Sequence, residues 1–326
     1  MSKFTRRLQK IGSSILVSLP KQWVDDHNLV KSSQVQIETL ENSLSITVDE
    51  GRKLSKEIDI VYPLPSEENI AANITGAYLL GYDVITIRGK STISVKDREV
   101  IRESMRRLVG MEILDEDASN VNGQFLLDET SLNPKKIFKR MSSIALGMFN
   151  ETLSALRTDD KTNLQTIPNR DDEINRQYFL LVRFIRSTMV DRRLAEIFNL
   201  ENIDILDYRI AGNILETAGD TIVDLSKSIS ETSLSSSDQK KIYDIAKDIE
   251  AIQKKSIDAF ITNNRSLAIE AIKLHGQYES KISKTRSSLE HKKQTPIAFL
   301  DLVYTFEKVA QSWSDISDLV QPTYRK

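Results

Sequence analysis

Residues 202–230 limit the possible folds of this chain more than any other stretch. Leu206, Ile210, Ile214, Ala218, Ile222, Leu225 and Ile229 recur every three or four positions, the period at which side chains share one face of an α-helix. Arg209, Asn213, Glu216, Asp220 and Asp224 follow one another at steps of four, three, four and four. At about 100° per residue those five lie within roughly 80° of each other, so three carboxylates occupy one narrow stripe. A weaker copy, Glu307, Gln311 and Asp315, follows 91 residues later. Two such helices in one chain predict a duplicated helical unit.

The surrounding pattern agrees. Helical periods run over about 134–158, 170–198, 203–230, 237–262, 265–291 and 295–319, with polar connectors at 163–170 and 233–237. They divide three and three, which predicts two tandem three-helix bundles at 134–232 and 233–322. Between 49 and 133, strand-like and helix-like stretches alternate, with Gly81 and Gly110 placed to close two helices. That segment reads as a small α/β module of connecting or sensing role. Gly89-Lys90 lacks the glycine spacing and the Lys-Ser/Thr of a phosphate loop.

The front, 1–48, differs in charge. The first 24 residues carry Lys3, Arg6, Arg7, Lys10 and Lys21 and no acidic residue, in a chain whose formal net charge is −2. Such a local cationic patch suits a phosphate backbone. Residues 14–19 read as a strand stopped by Pro20, 21–27 as a helical turn, and 34–39 and 43–48 as alternating strands joined at Glu41-Asn42. Lys10, Gly12, Ser14, Val17, Leu19, Pro20-Lys21, Leu29, Val35, Leu44 and Ile46 together resemble the AbrB/MazE family of swapped-hairpin proteins. Ser13 and Ser33-Gln34 depart from that family's usual Asn and Gly-Asp. The resemblance implies an intertwined homodimer formed through this module that contacts DNA, with Arg6, Arg7, Lys10 and Lys21 as the contacting residues. About 45 residues bury too little surface alone, which also favours a dimer. Two plainer readings stand beside this one: the cations only solvate the surface, or the hairpins only dimerise. Lys21 could equally cap or pair locally.

The helical half resembles the PhoU family of phosphate-uptake regulators. Arg170-Asp171-Asp172-Glu173-Ile174-Asn175 looks like an acidic segment opening a bundle helix, and Arg209 with Glu216 and Asp220 looks like a second. His275 with Glu279, and Glu307 with Gln311, fall at the matching places of the second bundle. An AbrB-like module ahead of a PhoU-like half also resembles an archaeal arrangement of such regulators. The resemblance implies divalent or iron ions held by Asp171, Glu216, Asp220 and Asp224 in the first bundle and by His275, Glu279 and Glu307 in the second. Carboxylates at i and i+4 on adjacent helices are hard ligands suited to such ions. Asn175, Gln311 and His275 stand where the family has acids, and glutamates and aspartates at helical spacing also make an ordinary wet surface.

Composition narrows the function. With 40% hydrophobic and 28% charged residues and only 11 Gly and 7 Pro, a folded, helix-rich chain is expected. No apolar run reaches the roughly 18 residues of a membrane span, and no hydrophobic signal region opens the chain. The absence of cysteine removes disulfides, Cys-zinc sites and thiol chemistry and fits a cytoplasmic protein. His27, His275 and His291 lie far apart in sequence and no nucleophile–histidine pattern accompanies them, so no enzyme is expected. Trp313 and Tyr304 read as core or seam residues. The expectation is a DNA-binding regulator of phosphate uptake whose bundles receive the signal. The alternative is an adaptor that docks on phosphate transporter subunits or a signalling kinase without touching DNA.

Overall fold

The computed structural model describes residues 4–40, 43–48, 55–290 and 297–320. Lys3, the Glu41-Asn42 turn and His291 lie outside the described residues. The chain divides into two compact units, 1–55 and 56–326.

The first unit is built from two small hairpins. Strand β1 (Gln9–Ile11) pairs antiparallel with β2 (Ser14–Leu16), Lys10 opposite Ile15. Gly12 sits between them at φ +59°, a left-handed conformation that tight hairpin turns need and glycine adopts without strain. The strand expected over 14–19 ends at Leu16, and its partner β1, only three residues long, carries too little alternation to mark it in the sequence. Helix α1 (Lys21–Asp26) starts directly after Pro20, and β3 (Val35–Leu40) pairs with β4 (Ser43–Val48), placing Ile37 opposite Ile46 and Thr39 opposite Leu44. Leu8, Ile11, Ile15, Ile37 and Leu44 are all more than half exposed. Among the residues of this unit whose burial is described, none is buried.

The second unit opens with a four-stranded sheet of order β5-β6-β8-β7. β5 (Glu57–Tyr62) and β6 (Val84–Gly89) run parallel around helix α2 (Ile70–Leu79). Helix α3 (Val95–Arg106) then leads to the hairpin of β7 (Met111–Glu116) and β8 (Asn120–Phe125). The side chains of Asn69 and Ser94 cap α2 and α3, satisfying backbone N–H groups that no helical carbonyl reaches. Gly81 and Gly110 follow those helices at φ +80° and +79°.

The remainder is helical. α4 (Pro134–Thr158), α5 (Ile167–Val190) and α7 (Asn202–Glu231) pack on one another as one trio. α9 (Ile249–Thr262), α10 (Arg265–Glu290) and α11 (Ile297–Asp318) form a second, with α7 against α11 between them. Two expected helices are broken. The stretch 170–198 splits at Asp191, whose extended backbone ends α5 and whose side chain caps α6 (Arg192–Ile197). The stretch 237–262 splits into α8 (Ser236–Ala246) and α9, and Lys281 of α10 donates to the Asp244 carbonyl and, at 2.8 Å, to Asp248 Oδ2 at that break. At the other end of its run, α5 begins three residues earlier than its pattern, with Pro168 in the first turn, where a missing N–H costs nothing.

One hydrophobic core runs from Ile60 in β5 through Phe138, Phe149 and Ile222 to Trp313 and Ile316 in α11. Phe149 and Phe306 meet edge to face at 6.1 Å, joining the two trios. Arg183 of α5, fully buried, ties the sheet to the helices. It donates to the carbonyls of Tyr78 and Tyr82, pairs with Asp83 at 2.6 Å, and lies over the Phe125 ring.

Candidate functional site

In the first unit Arg6, Arg7, Lys10 and Lys21 are all exposed, and none forms a salt bridge among the described residues. Arg6 donates to the Thr5 carbonyl at 3.4 Å and lies over the Phe4 ring; Lys10 sits in β1; Lys21 opens α1. His27 is used locally: its Nδ1 lies 2.8 Å from the Trp23 carbonyl. The cations therefore present full charge to solvent beside uncovered apolar side chains.

The carboxylates on the first helical trio divide by depth. Asp171, on α5, is buried, and its Oδ1 has no hydrogen-bond partner; Asn175 donates to Oδ2 at 3.2 Å. Gly219 on α7 makes this possible, since a Cβ there would stand 2.7 Å from Asp171 Oδ1. Burial first, then the nearby charges of Asp220 and Glu216, push the Asp171 carboxyl up to about 7. Glu216 is also pushed up, by burial and by Asp220. Asp220 and Asp224 are exposed. Arg209 donates to the Tyr178 hydroxyl at 2.6 Å, which in turn bonds Asn213 at 3.1 Å. Thus Asp171 of α5 shares one electrostatic neighbourhood with Glu216 and Asp220 of α7.

The second trio does not repeat this. Glu307 is engaged by Arg286, and Gln311 donates to Asp315 at 2.6 Å. His275 is buried, 3.9 Å from Glu279 through Nδ1, while its Nε2 has no partner. Among the described residues no three of His, Asp and Glu are grouped closely enough to hold a metal ion. Trp313 is fully buried as a core residue, whereas Tyr304 is 53% exposed beneath Lys308.

The α4–α7 geometry, with an acidic face on paired helices, sits on a stretch of chain that has known counterparts. Residues 138–229 match the PhoU domain. The match begins in α4 and ends in α7, so the PhoU-like segment is the first trio. Two solved structures are also similar. PhoU from Streptococcus pneumoniae, a phosphate transport system regulatory protein, is 20% identical over 57% of this chain and 91% of that one, with a TM-score of 0.47. PhoU from Pseudomonas aeruginosa is 13% identical over 57% and 93%, with a TM-score of 0.42. No curated protein matches the chain. Among the described residues, no helix is long and apolar enough to cross a membrane.

Proposed function

We propose that this protein is a dimeric, DNA-binding regulator of phosphate uptake, in which the first unit grips DNA and the PhoU-like helical half receives the signal. The PhoU domain match over 138–229 supports the regulatory half. The observation that supports the DNA-binding half is the set Arg6, Arg7, Lys10 and Lys21, exposed and free of carboxylate partners among the described residues. Unpaired cations on a small β scaffold can exchange their counterions for phosphates, which gives affinity without base preference. The exposed Ile37 and Leu44 of the same unit belong to no core, and a second copy of the unit would cover them. Phosphate transporter subunits are the proposed partners of the helical half.

Gel shifts with genomic DNA test the reading, comparing wild type with Arg6→Ala/Arg7→Ala/Lys10→Ala. Wild type should retard DNA, and the variant should bind more weakly, with a salt slope shallower by about 0.9 for each phosphate no longer neutralised. Equal binding by both proteins, or none by either, removes this role from the patch. Co-purification at low and high phosphate examines the transporter partnership separately.

A further inference from the structure

In the second unit arginines are mostly spoken for. Arg98 and Arg102 share Glu116, Arg140 and Arg176 share Glu173, and Arg170 and Arg286 each hold a glutamate. Arg106 and Arg107, where α3 ends, are exposed and have no carboxylate partner among the described residues. Arg157, Arg186, Arg209 and Arg265 also lack one, but they line no described cavity. Arg106 and Arg107 do. Together with Arg176 they line a cleft of about 510 Å³ between α3 and α5, which Glu103, Asp172 and Phe179 complete. The wall is held in place by Arg176, whose Nε donates to the Arg107 carbonyl at 3.3 Å while Nη1 pairs with Glu173 at 3.1 Å. Both Glu103 and Asp172 are free of ion pairs among the described residues.

That lining is selective. The two unpaired arginines, Arg106 and Arg107, suit phosphate oxygens, which guanidiniums can meet with paired charge-assisted bonds, and Arg176, held by Glu173, adds positive charge beside them. Unpaired carboxylates in the same wall would repel a bare polyanion but accept hydrogen bonds from amino groups. The Phe179 ring offers a surface on which a flat base can stack. The volume lies within the roughly 300–1,000 Å³ of small-molecule sites, far more than inorganic phosphate fills. The geometry points to a nucleotide site: a phosphorylated nucleoside whose phosphates meet Arg106 and Arg107 and whose base carries an exocyclic amino group toward Asp172 or Glu103. This site is separate from the cationic hairpins, and its test reads nothing from DNA.

Calorimetric titration of the full-length protein with ATP, AMP, adenosine, tripolyphosphate and inorganic phosphate decides the matter. ATP or AMP should saturate one site per chain and bind more tightly than tripolyphosphate, adenosine or phosphate. Arg106→Gln/Arg107→Gln, two exposed positions, should raise the nucleotide Kd at least about tenfold with an unchanged circular dichroism spectrum. Phe179→Leu should weaken ATP by about fivefold or more while leaving tripolyphosphate as it was. The assignment is overturned if no nucleotide saturates at millimolar concentration, or if tripolyphosphate matches ATP. It is equally overturned if adenosine matches AMP, or if the double variant binds like wild type.

Discussion

Asp171 shows how far one side chain's chemistry can depart from its residue type. In the unfolded chain its carboxyl ionises near 3.8, but in the fold burial and the charges of Asp220 and Glu216 hold it protonated up to about 7. Between those values the native state binds more protons than the unfolded state, so this group's contribution to stability falls as pH rises across that window. Asp171→Asn, which mimics the protonated form, should therefore stabilise the protein at pH 8 by about 1–3 kcal/mol after discounting for solvent screening. The two proteins should converge below pH 4, as urea midpoints across the range would record. Arg183 is the opposite case, a buried charge answered by Asp83 and two carbonyls, with only its Nε left without a hydrogen-bond partner. Arg183→Leu should cost about 3–5 kcal/mol in urea unfolding, because Asp83 and the buried Glu129 lose their counter-charge. A much smaller loss would mean that the sheet and helices are tied elsewhere.

Helix α7 matches its expected span closely and buries Ala218, Ile222, Leu225 and Ile229 of its expected apolar stripe, but not that stripe's first members. Leu206 and Ile210 are 52% and 38% exposed, whereas Ile205, Tyr208, Ala211 and Leu215 are buried. The cause is geometric: each step of four residues turns the helix about 40° past a full circle. A run of i+4 steps therefore drifts, and its first members end beside the acidic stripe rather than in the core. Leu206→Ala should change stability by no more than about 0.5 kcal/mol, while Ile222→Ala, at a fully buried position, should cost about 2–5 kcal/mol. Thermal melts of the two variants would show the contrast. The breaks at Asp191 and between α8 and α9 were illegible for a related reason. Neither contains proline or glycine, and one is braced by Lys281, 33 residues beyond Asp248.

At the scale of the whole molecule the two units differ in how they close. The second, 56–326, carries a continuous core of its own; the first exposes Ile11, Ile15, Ile37 and Leu44. Ile37 and Leu44 lie on the same face of the β3–β4 hairpin, because Ile37 faces Ile46 and Leu44 faces Thr39 across it. Sedimentation should show a dimer for the wild type and a monomer for Ile37→Glu/Leu44→Glu, with DNA retardation lost alongside. A dimer that survives both charges would place its interface outside the hairpins.

The amino-acid sequence alone determined what depends on near neighbours: the helical periods, the glycine-closed turns, the cationic front without acids, and the face shared by Glu216 and Asp220. Those properties follow from backbone geometry within one or two turns. Tertiary structure alone decided which charges are answered and which stand free. Glu307 is paired by Arg286 from a neighbouring helix, and Asp171 is desolvated where Gly219 lets α7 close over it. Arg107 and Arg176, 69 residues apart, become the two walls of one cleft. Electrostatic roles depend on desolvation and on partners brought from distant elements, and neither leaves a local pattern to read.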